Sequence, residues 1–157
     1  MAQLSETLSQ DRAKNGEKLK FLAESHLVRV NGEYNEELYQ LLQKKLPFPF
    51  QYSYSRSKME SIKSLPAKRF FISTLSGKVI KNQDYENVKR VWDILQLDNL
   101  YQLYEFYCTL DCYLLAESFD EFRKNCFNNY TIWPDYYLSL PAFSLGNLHK
   151  LRYTFIK

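Results

Sequence analysis

The longest regular pattern of apolar side chains in this chain lies in residues 99–130. Apolar and aromatic residues recur there at the three- and four-residue spacing of one helix face, and the stretch contains no Pro or Gly. The residues that follow this spacing are Leu100, Leu103, Tyr104, Tyr107, Leu110, Leu114, Leu115, Phe119, Phe122 and Cys126. We therefore predict an unbroken helix from about Asn99 to about Asn128, with Asp98 or Asn99 as its N-cap.

Shorter patterns predict two more helices on the N-terminal side. In residues 33–45 the members of one helix face are Tyr34, Leu38, Leu41 and Leu42. Residues 82–95 form the second helix, with Asn82 as its N-cap, and the side chains that it should bury are Tyr85, Val88, Val91, Trp92 and Leu95.

The remaining stretches are expected to be short elements or loops. Residues 46–69 contain three of the five prolines and predict an irregular connector. We expect residues 70–80 to be irregular or to form a short extended piece around Gly77. Short helices are expected around residues 4–8 and 145–151, the second one after chain breaks at Pro134 and Pro141.

Composition is that of a folded unit of mainly α class. The chain has 157 residues, of which 45% are hydrophobic and 25% charged, so wholesale disorder is not expected. Only four glycines occur, which favours helices over a many-stranded sheet. The three cysteines are expected to be free thiols. No apolar stretch is long enough to cross a bilayer, and the polar first residues are not a signal peptide. We expect an intracellular protein without a membrane partner.

Tyr107 and Asp111 are the candidate site in the long helix. Residues four apart share a helix face, which places a carboxylate beside a phenol within the apolar stripe. An isolated carboxylate is costly there unless it is paired or bound to a metal. Two interpretations follow. Asp111 lies on the flank of the stripe and reaches water or an Arg, or it is a metal ligand and Tyr107 positions a water molecule.

A second candidate is a basic stretch with aromatic residues between its charges. Its basic members are Arg56, Lys58, Lys63, Lys68 and Arg69, and its aromatic members are Tyr52, Tyr54, Phe70 and Phe71. Basic groups bind phosphates, and aromatic rings stack on the bases of single strands. The alternative is a solvated loop flanked by core aromatics. The net charge of +3 is too small to decide between them.

An ordered set of segments resembles protein-primed family B DNA polymerases of viruses, linear plasmids and self-synthesising transposons. The run from Tyr107 and Asp111 to Lys124 is similar to their third exonuclease motif, Y-x-x-x-D. Residues 46–52 resemble an F-P-Y-E-Y segment, and residues 65–71 resemble L-P-P-K-x-x-F. Residues 73–77, 84–88 and 91–92 match the next stretch, and residues 136–141 resemble the entry to the polymerase domain. The resemblance covers roughly residues 34–150.

The resemblance implies a 3′→5′ proofreading exonuclease. Asp111 would ligate one of two Mg²⁺ or Mn²⁺ ions, Tyr107 would orient the attacking water, and the partner would be a single-stranded primer end. The fold would be an incomplete ribonuclease H-like domain that lacks most of its central sheet. Residues 1–130 would belong to the exonuclease domain, and residues 131–157 would begin the polymerase domain.

The same resemblance predicts that the chain is inactive alone. A family exonuclease uses a D-x-E on its first strand and a further Asp, and its polymerase uses D-x-x-S-L-Y-P and Y-x-D-T-D-S; we expect none of these in the chain. Substitution of Asp111 by Asn or Leu should then leave stability unchanged or raised. The apolar stripe must pack on other helices or stay exposed and cause self-association. The alternative function is a non-catalytic helical remnant that binds DNA or protein.

Overall fold

The computed structural model describes residues 19–72 and 77–155, with the side chains described as far as Lys150. The described residues are mainly helical, which confirms the predicted class. The α-helices are α1 Lys20–Glu24, α2 Glu36–Leu42, α3 Arg56–Ser61, α4 Asn82–Leu95, α5 Leu100–Tyr130 and α6 Leu140–Phe155. Single turns of 3₁₀-helix lie at His26–Val28, Lys68–Phe70 and Pro134–Tyr136. No helix in the described part of the chain is long and apolar enough to cross a membrane.

The sheet content of the described residues is one hairpin and one isolated bridge. Strands β1 (Arg29–Val30) and β2 (Glu33–Tyr34) pair antiparallel, with Val30 opposite Glu33. Asn31 and Gly32 connect them at φ values of 53° and 87°. A type I′ turn requires positive φ at both central residues, and Asn-Gly adopts it most readily. The bridge joins Ile72 to Val79 and agrees with the extended piece expected near Gly77.

The long predicted helix is confirmed as α5, and its N-cap is Asn99. The Asn99 Oδ1 atom accepts a hydrogen bond of 3.0 Å from the backbone N–H of Gln102, which otherwise has no intrahelical acceptor. The Gln102 side chain reaches back and accepts from the N–H of Asp98 at 2.8 Å. Reciprocal capping thus starts the helix at Leu100.

Helix α4 is confirmed with both predicted ends, but its predicted cap is wrong. Lys81 occupies the N-cap position and makes no side-chain capping bond. Asn82 is instead the first helical residue, and its Oδ1 atom accepts a hydrogen bond from the Lys68 ammonium. The Asn82 side chain therefore anchors the turn at Lys68–Phe70 to α4.

The helix predicted over residues 33–45 is shorter at both ends. The hairpin takes Glu33 and Tyr34, so Tyr34 is exposed and does not share the buried face of Leu38 and Leu42. Asn35 is the N-cap, and its Oδ1 atom accepts from the N–H of Leu38 at 2.9 Å. The helix ends at Leu42.

Two expectations of loop structure are wrong. The connector contains α3, which begins where the Ser55 hydroxyl accepts from the N–H of Lys58, in the part of the connector that has no Pro. Pro141 does not break the chain but lies in the first turn of α6, where its missing N–H has no intrahelical acceptor to lose. The helix expected near residues 4–8 lies outside the described residues.

The buried face of α5 belongs to one core, together with residues of α1, α2, α3 and α4. On α5 this core contains Leu100, Leu103, Tyr107, Leu110 and Leu114. The stripe therefore packs on other helices, one of the two predicted outcomes. Beyond it, Leu115 and Phe119 are about half exposed, so the predicted self-association through helix faces stays a prediction.

The chain divides into two compact units between Glu117 and Ser118, within α5. The resemblance suggests a domain boundary between residues 130 and 131, which is the end of α5 and not the division between the two units. This boundary stays a prediction. In the second unit Phe127 stacks on Trp133 with ring centroids 4.3 Å apart. The Lys150 ammonium donates to the carbonyls of Tyr130 and Thr131, so α6 caps the C-terminal end of α5.

Candidate functional site

The candidate site consists of Lys45, Tyr107 and Asp111. The Lys45 ammonium donates a hydrogen bond of 2.9 Å to Asp111 Oδ2. The Lys45 ammonium also lies 5.4 Å from the ring centroid of Tyr107. The two α5 residues lie on one face, as their spacing predicts, and Lys45 approaches from the segment that follows α2. Lys45 thus contacts both α5 side chains of the site.

The three side chains differ in their access to water. Tyr107 is buried, with 6% of its surface exposed, whereas 32% of the Asp111 side chain and 42% of the Lys45 side chain are exposed. The Tyr107 phenol is therefore the buried part of the site, and the Asp111 carboxylate and the Lys45 ammonium are its solvent-exposed part. A ligand from solution reaches Asp111 without displacing any core residue.

An aromatic wall holds the Tyr107 ring in place. The Phe48 and Phe50 rings lie with their centroids 5.6 Å from that of Tyr107, and the Phe50 contact is edge-to-face. Phe48 also packs on Tyr104, one turn earlier on α5, at 5.5 Å. Edge-to-face and tilted pairs at these distances are favourable. The Leu46–Phe50 segment thus fixes both the phenol and the neighbouring Lys45.

The pKa values of two of the groups follow from this environment. Burial raises the pKa of Tyr107, the neighbouring Lys45 ammonium lowers it and the Asp111 carboxylate raises it, so that the pKa is raised overall. Burial lowers the pKa of Lys45, but its interactions with Tyr107 and Asp111 outweigh this effect, so its pKa is raised. Near neutral pH Lys45 is therefore charged and Tyr107 protonated.

The position of Asp111 agrees with the first interpretation, since the side chain lies on the flank of the buried stripe and is partly exposed to water. Its cationic partner is Lys45 and not an Arg. No local pattern could identify that partner, because 66 residues separate it from Asp111. The sequence does contain a pair of basic residues, Lys44 and Lys45, directly before the aromatic segment that packs on α5. This pair is the feature that points to a cationic partner for Asp111.

Asp111 offers one carboxylate to a metal ion. Within the side chains that the structure describes, no group of three or more His, Cys, Asp and Glu residues is brought together. The two-ion arrangement implied by the resemblance needs several carboxylates. These residues therefore do not form a two-ion site by themselves, and the metal role of Asp111 stays a prediction.

The expectation that the sequence lacks a D-x-E is wrong. Asp84-Tyr85-Glu86 has this pattern, but it lies near the start of α4 and not on a strand. Residues two apart on a helix do not face each other, whereas on a strand they share one face. Asp84 and Glu86 therefore do not form the paired carboxylates that the exonuclease motif supplies.

The structure brings part of the basic stretch together around stacked rings. The Lys58 ammonium lies 4.6 Å from the ring centroid of Tyr52 and 4.3 Å from that of Tyr54. Tyr52 stacks on Phe70 with centroids 4.2 Å apart, and the Arg69 guanidinium lies 4.9 Å from the Phe70 centroid. We call these five residues the basic–aromatic surface.

The other three basic residues have separate environments. Arg56 pairs with Glu60 at 2.8 Å, and its guanidinium lies 4.6 Å from the ring centroid of Tyr101 on α5. Lys68 donates to Asn82. Lys63 is exposed. Arg56 and Lys68 are thus engaged with protein groups, and of the aromatic members Phe71 is buried in the core.

Glu117 is a buried acid that the sequence patterns did not identify as important. Only 5% of its surface is exposed, and its Oε1 atom accepts hydrogen bonds from the backbone N–H groups of Phe21 and Leu22. These groups belong to the first turn of α1, where N–H groups lack intrahelical acceptors and a negative charge is favoured. Glu117 thus anchors α1 to α5.

The predicted free state of the cysteines is confirmed for all three. Cys112 is exposed, Cys108 is partly buried and Cys126 is buried. Burial raises the pKa of the Cys126 thiol, which makes it less reactive.

Comparisons of the chain with protein-family models, with curated proteins and with solved structures find no match.

Proposed function

We propose that the chain is part of a protein-primed family B DNA polymerase and comprises the C-terminal part of its 3′→5′ exonuclease domain and the start of its polymerase domain. One observation carries the proposal. Asp111 presents an accessible carboxylate one helical turn from Tyr107 on the same face of α5, and Lys45 contacts both side chains. Such a pair places a metal ligand beside a group that can orient water.

The packing of the flanking segments supports the proposal. The resemblance assigns both the Leu46–Phe50 segment and the Tyr107–Asp111 motif to one exonuclease domain. In the structure Phe48 and Phe50 pack directly on Tyr107. Two segments that resemble neighbouring motifs of one family thus meet at the same side chain, although about 60 residues separate them along the chain.

The chemistry assigned to the chain's own residues is limited to positioning. Asp111 would supply one oxygen ligand, Tyr107 would hold a water molecule through its hydroxyl, and Lys45 would supply a positive charge in the solvent-exposed part of the site. The ions, when bound, activate the attacking water and stabilise the leaving oxygen. The remaining carboxylates would have to come from residues that the described structure does not bring to Asp111.

A second candidate function is a non-catalytic remnant of the same domain that binds DNA or protein. It is favoured by the ion pair between Lys45 and Asp111, because the ammonium already provides the cationic partner that a metal ion would otherwise provide. The flanking genomic sequence separates the two candidates. An open reading frame with D-x-E upstream and Y-x-D-T-D-S downstream supports the polymerase, whereas stop codons on both sides support the remnant.

The decisive experiment is an exonuclease assay of the protein encoded by the reading frame with its adjoining coding sequence. We expect Mg²⁺-dependent release of 3′ nucleotides from single-stranded DNA. Asp111→Asn should abolish the release, and Tyr107→Phe should reduce it by about 100-fold or more if the hydroxyl acts in the transition state.

Matched controls for this assay are Asp93→Asn, at an exposed position on α4, and Tyr136→Phe, at an exposed position in the second unit. Both should retain full activity. An extended protein whose Asp111→Asn variant digests DNA as fast as the wild type would contradict the proposed role of this carboxylate.

A further inference from the structure

The basic–aromatic surface has the composition of a site for single-stranded nucleic acid. Its central pair, Tyr52 and Phe70, stacks with an interplanar angle of 28° and joins the residues before α3 to the turn at Lys68–Phe70. Lys58 lies against Tyr52 on one side of this pair, and Arg69 lies against Phe70. Two cationic groups are thereby held next to aromatic rings on one part of the molecule.

Tyr54 is the part of this surface that is open to a ligand. Tyr54 is 78% exposed, the highest value among the large hydrophobic residues that the structure describes in the first unit, where the next is Leu115 at 51%. The Lys58 ammonium lies 4.3 Å from its ring centroid, so a cation–π contact orients the ring while most of its surface remains in water. An oriented and exposed aromatic ring is the element on which a base stacks.

The charges near Tyr54 are available to phosphates. Residues 52–70 carry five basic side chains and one acidic side chain, Glu60, which is paired with Arg56. In the part of the chain that the structure describes, neither Lys58 nor Arg69 forms a salt bridge with a carboxylate. Both cations therefore face solvent or aromatic rings, and a phosphate would be their first anionic partner.

We propose that the basic–aromatic surface binds single-stranded DNA, with a base stacked on Tyr54 and backbone phosphates bound by Lys58 and Arg69. The inference names the substrate class of the proposed exonuclease and in that respect rests on the proposed function. Binding at this surface requires neither a metal ion nor Asp111, however, so the two proposals fail separately.

The test measures binding of a fluorescently labelled oligothymidylate to the purified chain in EDTA by anisotropy. Tyr54→Ala should weaken binding by about fivefold or more, since stacking on an aromatic ring contributes roughly 1–3 kcal/mol per base. The matched control is Tyr136→Ala, because Tyr136 is 82% exposed but lies in the second unit. It should bind as the wild type does.

The charge contribution is measured through the salt dependence of the same affinity. Lys58→Met and Arg69→Met should each lower the slope of log K against log salt by about 0.7, the value expected for one phosphate contact on a single strand. Lys89→Met, at an exposed position on α4, is the control and should leave the slope unchanged. Thermal melts of every variant verify that the fold is intact.

Three results would overturn the proposal. The first is unchanged affinity in Tyr54→Ala. The second is equally tight binding of an abasic strand of the same length, which would reduce the interaction to phosphate attraction. The third is equally effective competition by polyglutamate, which would indicate an acidic protein partner. Loss of exonuclease activity in Asp111→Asn of the extended protein, with full binding of the oligothymidylate, would support both proposals independently.

Discussion

The Lys45 ammonium lies 2.9 Å from Asp111 Oδ2, although 66 residues separate the two positions. The contact joins the segment after α2 to the middle of α5, next to the buried ring of Tyr107. It gives Asp111 a structural partner in a chain whose described residues form no group of three or more His, Cys, Asp and Glu side chains. The effect of an Asp111 substitution on stability should therefore be the loss of this ion pair.

Asp111→Asn and Asp111→Leu should each lower the free energy of unfolding by less than about 1 kcal/mol, because the ion pair is partly exposed and such pairs contribute little. This revises the expectation of unchanged or raised stability that an unpaired carboxylate would give. Denaturant titrations at low and high salt measure the effect, which should shrink as salt rises. Asp93→Asn is the control. A loss of about 3 kcal/mol or more would show that the pair is desolvated.

Alkaline pH should destabilise the fold through the same site. The ordinary pKa values of Tyr107 and Lys45 are 10.0 and 10.5, and both are raised in the folded state. Between the unfolded and folded pKa values the folded chain binds more protons, so stability falls as pH rises above about 10. Below about pH 10 both side chains are protonated, and Tyr107 and Lys45 make their full contribution to the free energy of unfolding.

The measurement is the free energy of unfolding against pH from 8 upward to about 12, a window set by these pKa values. Tyr107→Phe removes one of the two groups and should give a shallower alkaline decline than the wild type. Tyr136→Phe, at an exposed position, should decline as the wild type does. Equal slopes in all three proteins would contradict the assignment of the alkaline loss to Tyr107.

Glu117→Ala should destabilise the first unit by about 1–3 kcal/mol, because it leaves the buried N–H of Leu22 and the partly buried N–H of Phe21 without their acceptor. Glu117→Gln should cost less, since both bonds go to the same oxygen and the amide oxygen of Gln can still accept them. Hydrogen exchange at the two amides should accelerate in Glu117→Ala. Glu86→Ala, at an exposed position on α4, is the control. A stable Glu117→Ala variant with protected amides would disprove the anchoring role.

The 157-residue chain by itself should show no exonuclease activity. One carboxylate does not hold two divalent ions, and the described residues supply no cluster that does. The measurement is digestion of labelled single-stranded DNA in Mg²⁺ or Mn²⁺, with Asp111→Ala to identify contaminating nucleases. Digestion by the chain that Asp111→Ala abolishes would contradict this prediction.

The sequence by itself determined the elements whose signals are local. The spacing of apolar residues predicted α4 and α5, Asp98 and Asn99 were the two candidates for the cap of α5, and the four-residue spacing placed Tyr107 and Asp111 on one face. These features depend on contacts between residues three or four apart, which any helix imposes. The hairpin at Asn31-Gly32 also had a local signal, although the helical pattern starting at residue 33 obscured it.

The tertiary structure alone decided which groups Asp111, Glu117 and the basic residues meet. Lys45 reaches Asp111 because the Leu46–Phe50 segment packs on α5, and Glu117 reaches Leu22 because α1 docks on the same helix. Likewise, Lys58 and Arg69 lie against aromatic rings, whereas Lys68 donates to Asn82. Such contacts join positions far apart in the chain, and their geometry is set by how the shared core packs, which local spacing does not encode.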